Sequence, residues 1–362
     1  MATIYDVAKA AGVSPKTVSR VLNGDAPVKK DTLHRVRSAI DALGYVPSSA
    51  ARSMRSNKSG LIGLITGAIS IRAEEMTTSG LPDLFIVQGI QKAIESSGKT
   101  LLIADTGGRS EKVPNLIRTF EQHRVEGIIY VADFHRPVSL PKIASDVQLV
   151  LANCYDDQGT PAVLPHDQKG QYDLVRALIA KGHRRIAYLT LSENLDATRL
   201  RSQGYREALA DAGIAFDPAL VIPADIDLPD TDAEVQLLWD AIDRVLALSE
   251  PPTVICFGND RMAMRAYGIL RSRGLDLPGD ISLAGYDNYR LITETLYPTL
   301  TSAELPYAAM GIRATQLLLR LIDGDTAPDA PLLVSGAVSH GGSVREIARN
   351  ITTLSTVGRK TT

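Results

Sequence analysis

A chain of 362 residues, 44% hydrophobic and 22% charged, is long enough to bury more than one core, and two cysteines without CxxC spacing, Cys154 and Cys256, argue against a disulfide framework or a cysteine zinc site and for a reducing, cytoplasmic compartment. No apolar run reaches the roughly 18–20 residues that cross a bilayer and no basic-then-apolar leader is seen, so neither membrane insertion nor secretion is expected. The net charge of −2 hides a split, because the first sixty residues carry ten Lys and Arg against four Asp and Glu, a net +6, and the rest 29 against 37, a net −8, as in a polyanion binder that touches nucleic acid with its head alone.

Thr3 and Asp6 have the form of a capping box, and Ile4, Val7, Ala8 and Ala11 recur at helical spacing, which predicts a first helix over about 4–11. Gly12 supplies a left-handed turn. Ser14 caps a second helix over roughly 15–23, Pro15 suits its first position, and Val13 with Val18 stand at hydrophobic-staple spacing. Val18, Val21 and Leu22 are expected inward, with Pro15, Lys16, Ser19 and Arg20 on the opposite surface. A third helix follows with Leu33, Val36, Ile40 and Leu43 as its stripe. Two short helices joined by a tight glycine turn and braced by a third describe a helix-turn-helix, whose second helix enters the major groove of double-stranded DNA.

The runs TIYDVAKAAGVSPKTVSRVLNG (3–24) and LGYVPSSAARSMRS (43–56) closely resemble the DNA-binding head of lactose-repressor (LacI/GalR) family regulators. The resemblance implies that Pro15, Lys16 and Arg20 read bases and that Tyr5, Ser14, Thr17, Ser19 and Asn23 contact the DNA backbone. A guanidinium at Arg20 suits guanine O6 and N7, a bidentate contact worth roughly 1–3 kcal/mol of discrimination. Residues 48–56 allow a helix of only two turns, marginal alone in water. In the family that hinge folds on DNA and enters the minor groove, which places Met54 at the wedge position and Ala51, Arg52 and Arg55 at the groove.

From Leu61 onward the strand-like runs LIGLIT, TLLIAD, GIIYVA, QLVLAN, RIAYLTL and TVICFG alternate with amphipathic stretches, the rhythm of parallel α/β sheets. The expected fold is therefore α/β: an N-terminal three-helix helix-turn-helix head plus two doubly wound parallel-sheet subdomains, which the resemblance makes periplasmic-binding-protein-like. The expected domains are a head at 1–47, a hinge helix and linker at 48–60, an effector-binding and dimerisation domain at 61–345, and a tail at 346–362. Within the large domain, subdomain 1 is drawn at about 61–165 and 295–326 and subdomain 2 at about 166–294 and 327–345, with chain crossings near 165, 295 and 326.

The family places its ligand in the cleft between subdomains, and the matching positions here are Ser70, Asn153, Arg201 in ATRLRSQGY, Asn259 in FGNDRMA and Asp287 in LAGYDN. Carboxylate, amide and guanidinium groups suit a polyhydroxylated effector; the helix-cap alternative for Asn259 and the surface-charge alternative for Arg201 stand beside that reading. Ile226 occupies the position where several relatives carry an aromatic platform, which disfavours a stacked purine and favours a sugar, sugar acid or sugar phosphate over a nucleobase-type co-repressor. The segment AISIRAEEMTTSGLPDLF is longer and more polar than its family counterpart, and the tail lacks a leucine heptad, so a homodimer is expected. A transporter's solute-binding protein would lack the basic head. An enzyme is not suggested either: no nucleophile elbow, metal-binding His pair or P-loop is present, no metal or cofactor is called for, and His34, His123, His135, His166, His183 and His340 do not cluster along the chain.

Overall fold

The computed structural model describes residues 2–24, 27–46, 59–67, 83–141, 146–225 and 231–347. The head contains α1 (Ile4–Ala11), α2 (Pro15–Asn23) and α3 (Lys30–Leu43). Thr3 N–H donates to Asp6 Oδ2 at 2.8 Å and Asp6 N–H returns to Thr3 Oγ1 at 3.3 Å, so two otherwise orphaned donors at the start of α1 are satisfied reciprocally. Gly12 closes that helix in the left-handed region (φ 63°, ψ 42°), and Ser14 Oγ accepts from Thr17 N–H at 3.2 Å to open the next, with Pro15 in its first turn. Val7, Ala8, Ala11, Val18, Val36 and Ala39 form a small core from all three helices.

Two details of the head differ from expectation. Ser19 is buried, because at 100° per residue it falls beside Leu22 on α2, whereas Lys16 and Arg20 lie on the far side of the wheel. Leu43 is 40% exposed; the buried stripe of α3 is carried by Val36 and Ala39.

The larger unit continues as β1 (Leu61–Thr66), α4 (Asp83–Ile94), β2 (Thr100–Asp105), α5 (Val113–Gln122), β3 (Gly127–Pro137), β4 (Gln148–Tyr155), β5 (Ala162–Pro165) and α6 (Asp167–Ala180). It then runs through β6 (Ile186–Thr190), α7 (Asp196–Asp211), β7 (Val221–Pro223), α8 (Thr231–Leu246), β8 (Val254–Phe257), α9 (Asp260–Ser272), β9 (Ser282–Asp287), the short α10 (Arg290–Thr293), β10 (Thr301–Glu304), α11 (Tyr307–Ile322), β11 (Leu332–Val334) and β12 (Val338–Ser339). These strands make two six-stranded sheets, ordered β11-β5-β4-β3-β1-β2 and β12-β10-β9-β8-β6-β7. The β1–β3, β3–β4, β4–β5 and β5–β11 pairs are parallel, and in the second sheet β10–β12 is antiparallel beside parallel neighbours.

Both faces of the second sheet are covered, which is why its strands read as unbroken apolar runs. Ala187 and Leu189 of β6 point into one cluster with Leu238, Ile242, Ala266 and Leu270, while Ile186 and Tyr188 point into another with Leu174, Leu178, Tyr205 and Leu209. On the first sheet α4 and α11 pack against one another at main-chain distance. A Cβ on Gly89 would stand 2.1 Å from Ala308 O and one on Gly311 2.2 Å from Ile86 O, so only glycine fits either position. Both cysteines are buried, and burial pushes the Cys154 thiol up to about 12, outside the range of a reactive thiolate.

The first chain crossing lies between β5 and α6, and the other two fall later than drawn. Strand β10 still pairs with β9 in the second sheet, so the return occurs at Leu305–Pro306 instead of near 295. Strand β11 pairs with β5 in the first sheet and β12 with β10 in the second, so the last crossing lies between 334 and 338 instead of near 326. Four-, three- and two-residue strands are too short to show a period, and only their pairing assigns them.

Candidate nucleic-acid interface and ligand cleft

On the head, Lys16 and Arg20 are exposed on one side of α2, Tyr5 is 72% exposed on α1, and Pro15 is half-buried. The first turn of α2 holds no acidic residue, so the positive end of its backbone dipole is left for an external anion. Ser14 and Thr17 serve the cap, their hydroxyls 3.0 Å apart, and remain at that same helix start. Ser19 is buried, which removes it from the outward face, and Asn23 is the last residue of the helix, which Gly24 closes in the left-handed region. Ala51, Arg52, Met54 and Arg55 lie outside the described residues, as do Ser70 and Ile226.

Asn153, Asn259 and Asp287 lie at or just past the C-terminal ends of strands, where open α/β sheets bind ligands. Arg201, on α7, is buried. Its Nε donates to Asp167 Oδ1 at 2.7 Å, its Nη1 donates to Gly258 O at 2.6 Å, and its guanidinium carbon stands 3.6 Å above the centre of the Tyr286 ring. Asp287 ends β9 with φ 115°, a strained backbone for any residue but glycine, and is half-buried. Burial pushes its carboxyl up to about 7 against the pull of the nearby Arg201 guanidinium. Asp260, next to it, is raised well above the usual carboxylate range by burial and then by Asp287, although it accepts from Ser302 Oγ at 2.6 Å and Tyr289 N–H at 2.7 Å. Asn259 caps α9, its Oδ1 accepting from Met262 N–H at 2.8 Å, which leaves its amide nitrogen. Arg201, Asp287 and the Gly258–Asn259 turn are thus brought together. Asn153, also left-handed (φ 60°), donates instead to Ala132 O at 3.0 Å within the first sheet.

Asp167 and His135 complete the cluster. Asp167, 1% exposed, takes Arg201 on Oδ1 and His135 Nδ1 on Oδ2 at 2.8 Å. Burial opposes its ionisation, but Arg201 and His135 outweigh burial and hold the carboxyl below its ordinary value. It therefore links β3 of the first sheet to α7 beside the second. Tyr155 makes a parallel link, donating to Asp196 Oδ2 at 2.7 Å. An aspartate at the first helical position was the available signal, but a partner 34 positions away has no mark in the sequence. His135 and His166, distant along the chain, meet at one cavity, and among the described residues no group of three metal-ligating side chains forms. Nor, among those residues, is any helix long and apolar enough to cross a membrane.

Comparison with known proteins gives two matching family descriptions: bacterial regulatory proteins, lacI family, over residues 3–48, and periplasmic binding protein-like domain, over residues 175–344. The chain is similar to the HTH-type transcriptional repressor PurR of Vibrio atlanticus (strain LGP32), 31% identical over 334 residues that cover 89% of this chain and 92% of that protein. Among solved structures, it is similar to a LacI-family protein from Rhizobium etli, with TM-score 0.71 and 31% identity over 80% of this chain and all of that one. It is also similar to the transcriptional regulator CelR in its cellobiose complex, with TM-score 0.62 and 26% identity over 95% of this chain and all of that one.

Proposed function

Because the chain belongs to the lacI family of bacterial regulatory proteins and is a DNA-binding transcriptional repressor, we propose that it binds a near-palindromic operator as a homodimer under the control of a neutral sugar-like effector. In this reading Arg20 and Lys16 read base edges, Pro15 makes apolar contact, and Tyr5, Ser14, Thr17 and Asn23 hold phosphates. Ala51, Arg52, Met54 and Arg55 act in the minor groove. Exposed Met264, Leu291 and Tyr297 of the second-sheet subdomain offer apolar surface to the second copy.

The observation that carries the effector class is the company Arg201 keeps. Its charge is already answered by Asp167, and two further carboxyls, Asp260 and Asp287, are held toward the neutral form. With Arg201 already matched by Asp167, the cleft favours a neutral polyol, whose hydroxyls both donate to Asp287 and accept from Arg201, over a sugar acid or phosphate. The Tyr286 face is covered by Arg201 and offers no platform for a nucleobase. The cellobiose complex of the CelR relative supports the same class. Ligand that shifts the DNA equilibrium must prefer one arrangement of the subdomains.

Gel-shift titration tests the head: Arg20→Ala is expected to weaken specific binding by about 5- to 150-fold, the equivalent of roughly 1–3 kcal/mol, with little change on random DNA. A thermal-shift panel of neutral saccharides, sugar phosphates and purine bases tests the cleft. Stabilisation by a saccharide that Asp287→Ala abolishes is the expected result; stabilisation by a purine alone would replace the effector reading.

A further inference from the structure

The turn that presents Asp287 is built on two successive residues with positive φ, Asp287 at 115° and Asn288 at 52°, neither of them glycine. Such a backbone persists only where its surroundings over-determine it. Here the support comes from outside the turn, through its main chain. Asn288 N–H donates to Ser302 Oγ at 3.0 Å, Tyr289 N–H donates to Asp260 Oδ2 at 2.7 Å, and Asp287 O accepts from Leu305 N–H at 3.2 Å.

Two of these supports are joined to each other. Ser302 has one hydroxyl proton, and Asp260 Oδ1 at 2.6 Å takes it in preference to Ala303 O at 3.4 Å, so a single hydroxyl ties the Asn288 amide to the carboxyl that holds Tyr289. The carboxyl reaches that place because β9 offers it bare main chain: a Cβ on Gly285 would stand 2.1 Å from Asp260 Oδ1. Asp260 is 1% exposed and Ser302 is fully buried, and both oxygens of Asp260 are spent inside the protein.

We propose that Asp260 and Ser302 are positioning residues for effector recognition, which act through the 287–289 turn to fix the direction of the Asp287 carboxyl and make no contact with the effector. The assignment rests on the reading of Asp287 as the acceptor for an effector hydroxyl. It makes specificity a matter of angle, because a hydrogen bond weakens steeply as it bends. A turn released toward ordinary backbone angles carries the carboxyl off the hydroxyl it matches, and sugars that differ in the direction of one hydroxyl are then told apart less well. The role needs the shape of the Asp260 side chain and its two bonds, whereas a group that bound the effector by charge would need the acid itself.

The test joins residue-resolved amide hydrogen exchange to calorimetric titration of the full chain with D-glucose and its C4 epimer D-galactose. In Ser302→Ala the exchange of the Asn288 amide is expected to rise about tenfold, well beyond any common rise along β9 and β10. Asp260→Ala is expected to release Tyr289 as well. Asp260→Asn keeps an oxygen for Tyr289 N–H and turns an amide nitrogen toward Ser302 Oγ, whose proton then goes to Ala303 O; it is expected to restore protection at both amides. The ratio of the two sugar affinities is expected to narrow about threefold or more in Ser302→Ala and Asp260→Ala, and to recover in Asp260→Asn. The proposal is overturned if exchange at 288 and 289 rises only as much as along β9 and β10, if Asp260→Asn frees the turn as fully as Asp260→Ala, or if Ser302→Ala leaves the affinity ratio of the wild type. Failure of both sugars to saturate the wild type by about 10 mM counts against the effector reading alone, and the exchange rates then decide the positioning.

Discussion

Asp167→Asn isolates the charge that holds Arg201. The pair is 2.7 Å apart with 4% and 0% of the two side chains exposed. At an effective dielectric of about 20 the direct attraction is about 6 kcal/mol, much of it cancelled by desolvation of both ions. Asparagine keeps the shape and an acceptor but leaves a buried guanidinium without a counter-charge, a loss of about 3–5 kcal/mol. For a unit of this size that corresponds to a melting temperature lower by roughly 6–20 °C. Urea unfolding of the wild type, Asp167→Asn, Arg201→Met and the double variant is the assay. The double variant, with neither charge, is expected to be at least about 1 kcal/mol more stable than the sum of the single losses allows. A single loss under about 1 kcal/mol, or strict additivity, would refute the reasoning. Because Asp167 is held below its ordinary 3.8, the advantage over Asn is present above that value and disappears as pH falls through the lowered one.

Asp287 behaves oppositely, since its raised carboxyl favours the folded state while protonated and stops doing so as pH climbs from 3.8 toward about 7. Thermal scans should therefore show Asp287→Asn gaining on the wild type between acid and mildly alkaline pH; a constant gap would contradict burial as the cause. Gly311→Ala forces a methyl against Ile86 O and is expected to cost about 1–3 kcal/mol or more by chemical denaturation. An unchanged midpoint would show that α4 and α11 can separate freely. Ser14→Ala removes the α2 cap and should cost the isolated helix-turn-helix transition about 0.5–2 kcal/mol by circular dichroism, whereas Ser14→Asn should retain most of it.

Local chemistry made the head readable. Capping by Thr3 and Ser14 acts over three residues, and Gly12 and Pro15 declare their backbone angles by type, so all three helices appear where expected. Ser19 was misplaced because the apolar arc of α2 extends past Leu22. In the body, six apolar runs match strands, but β5, β7 and β10 to β12 are two to four residues long, and the late crossings were misdrawn for that reason. Arg201 and Asp287 do come together. The bonds that position Arg201 join Asp167 to partners 32 and 34 residues away, a separation that leaves no periodic trace, so the pairing of Asp167 with His135 and Arg201 emerges only from the folded geometry.

The glycine contact between α4 and α11 has a mechanical consequence. Leu305, which begins the return to the first sheet two residues ahead of α11, donates its N–H to Asp287 O at 3.2 Å, so this helix starts from the rim of the cleft. Where Gly89 and Gly311 bring the two helices together main chain to main chain, no rotamer absorbs a push, so a tilt imposed on one is passed to the other.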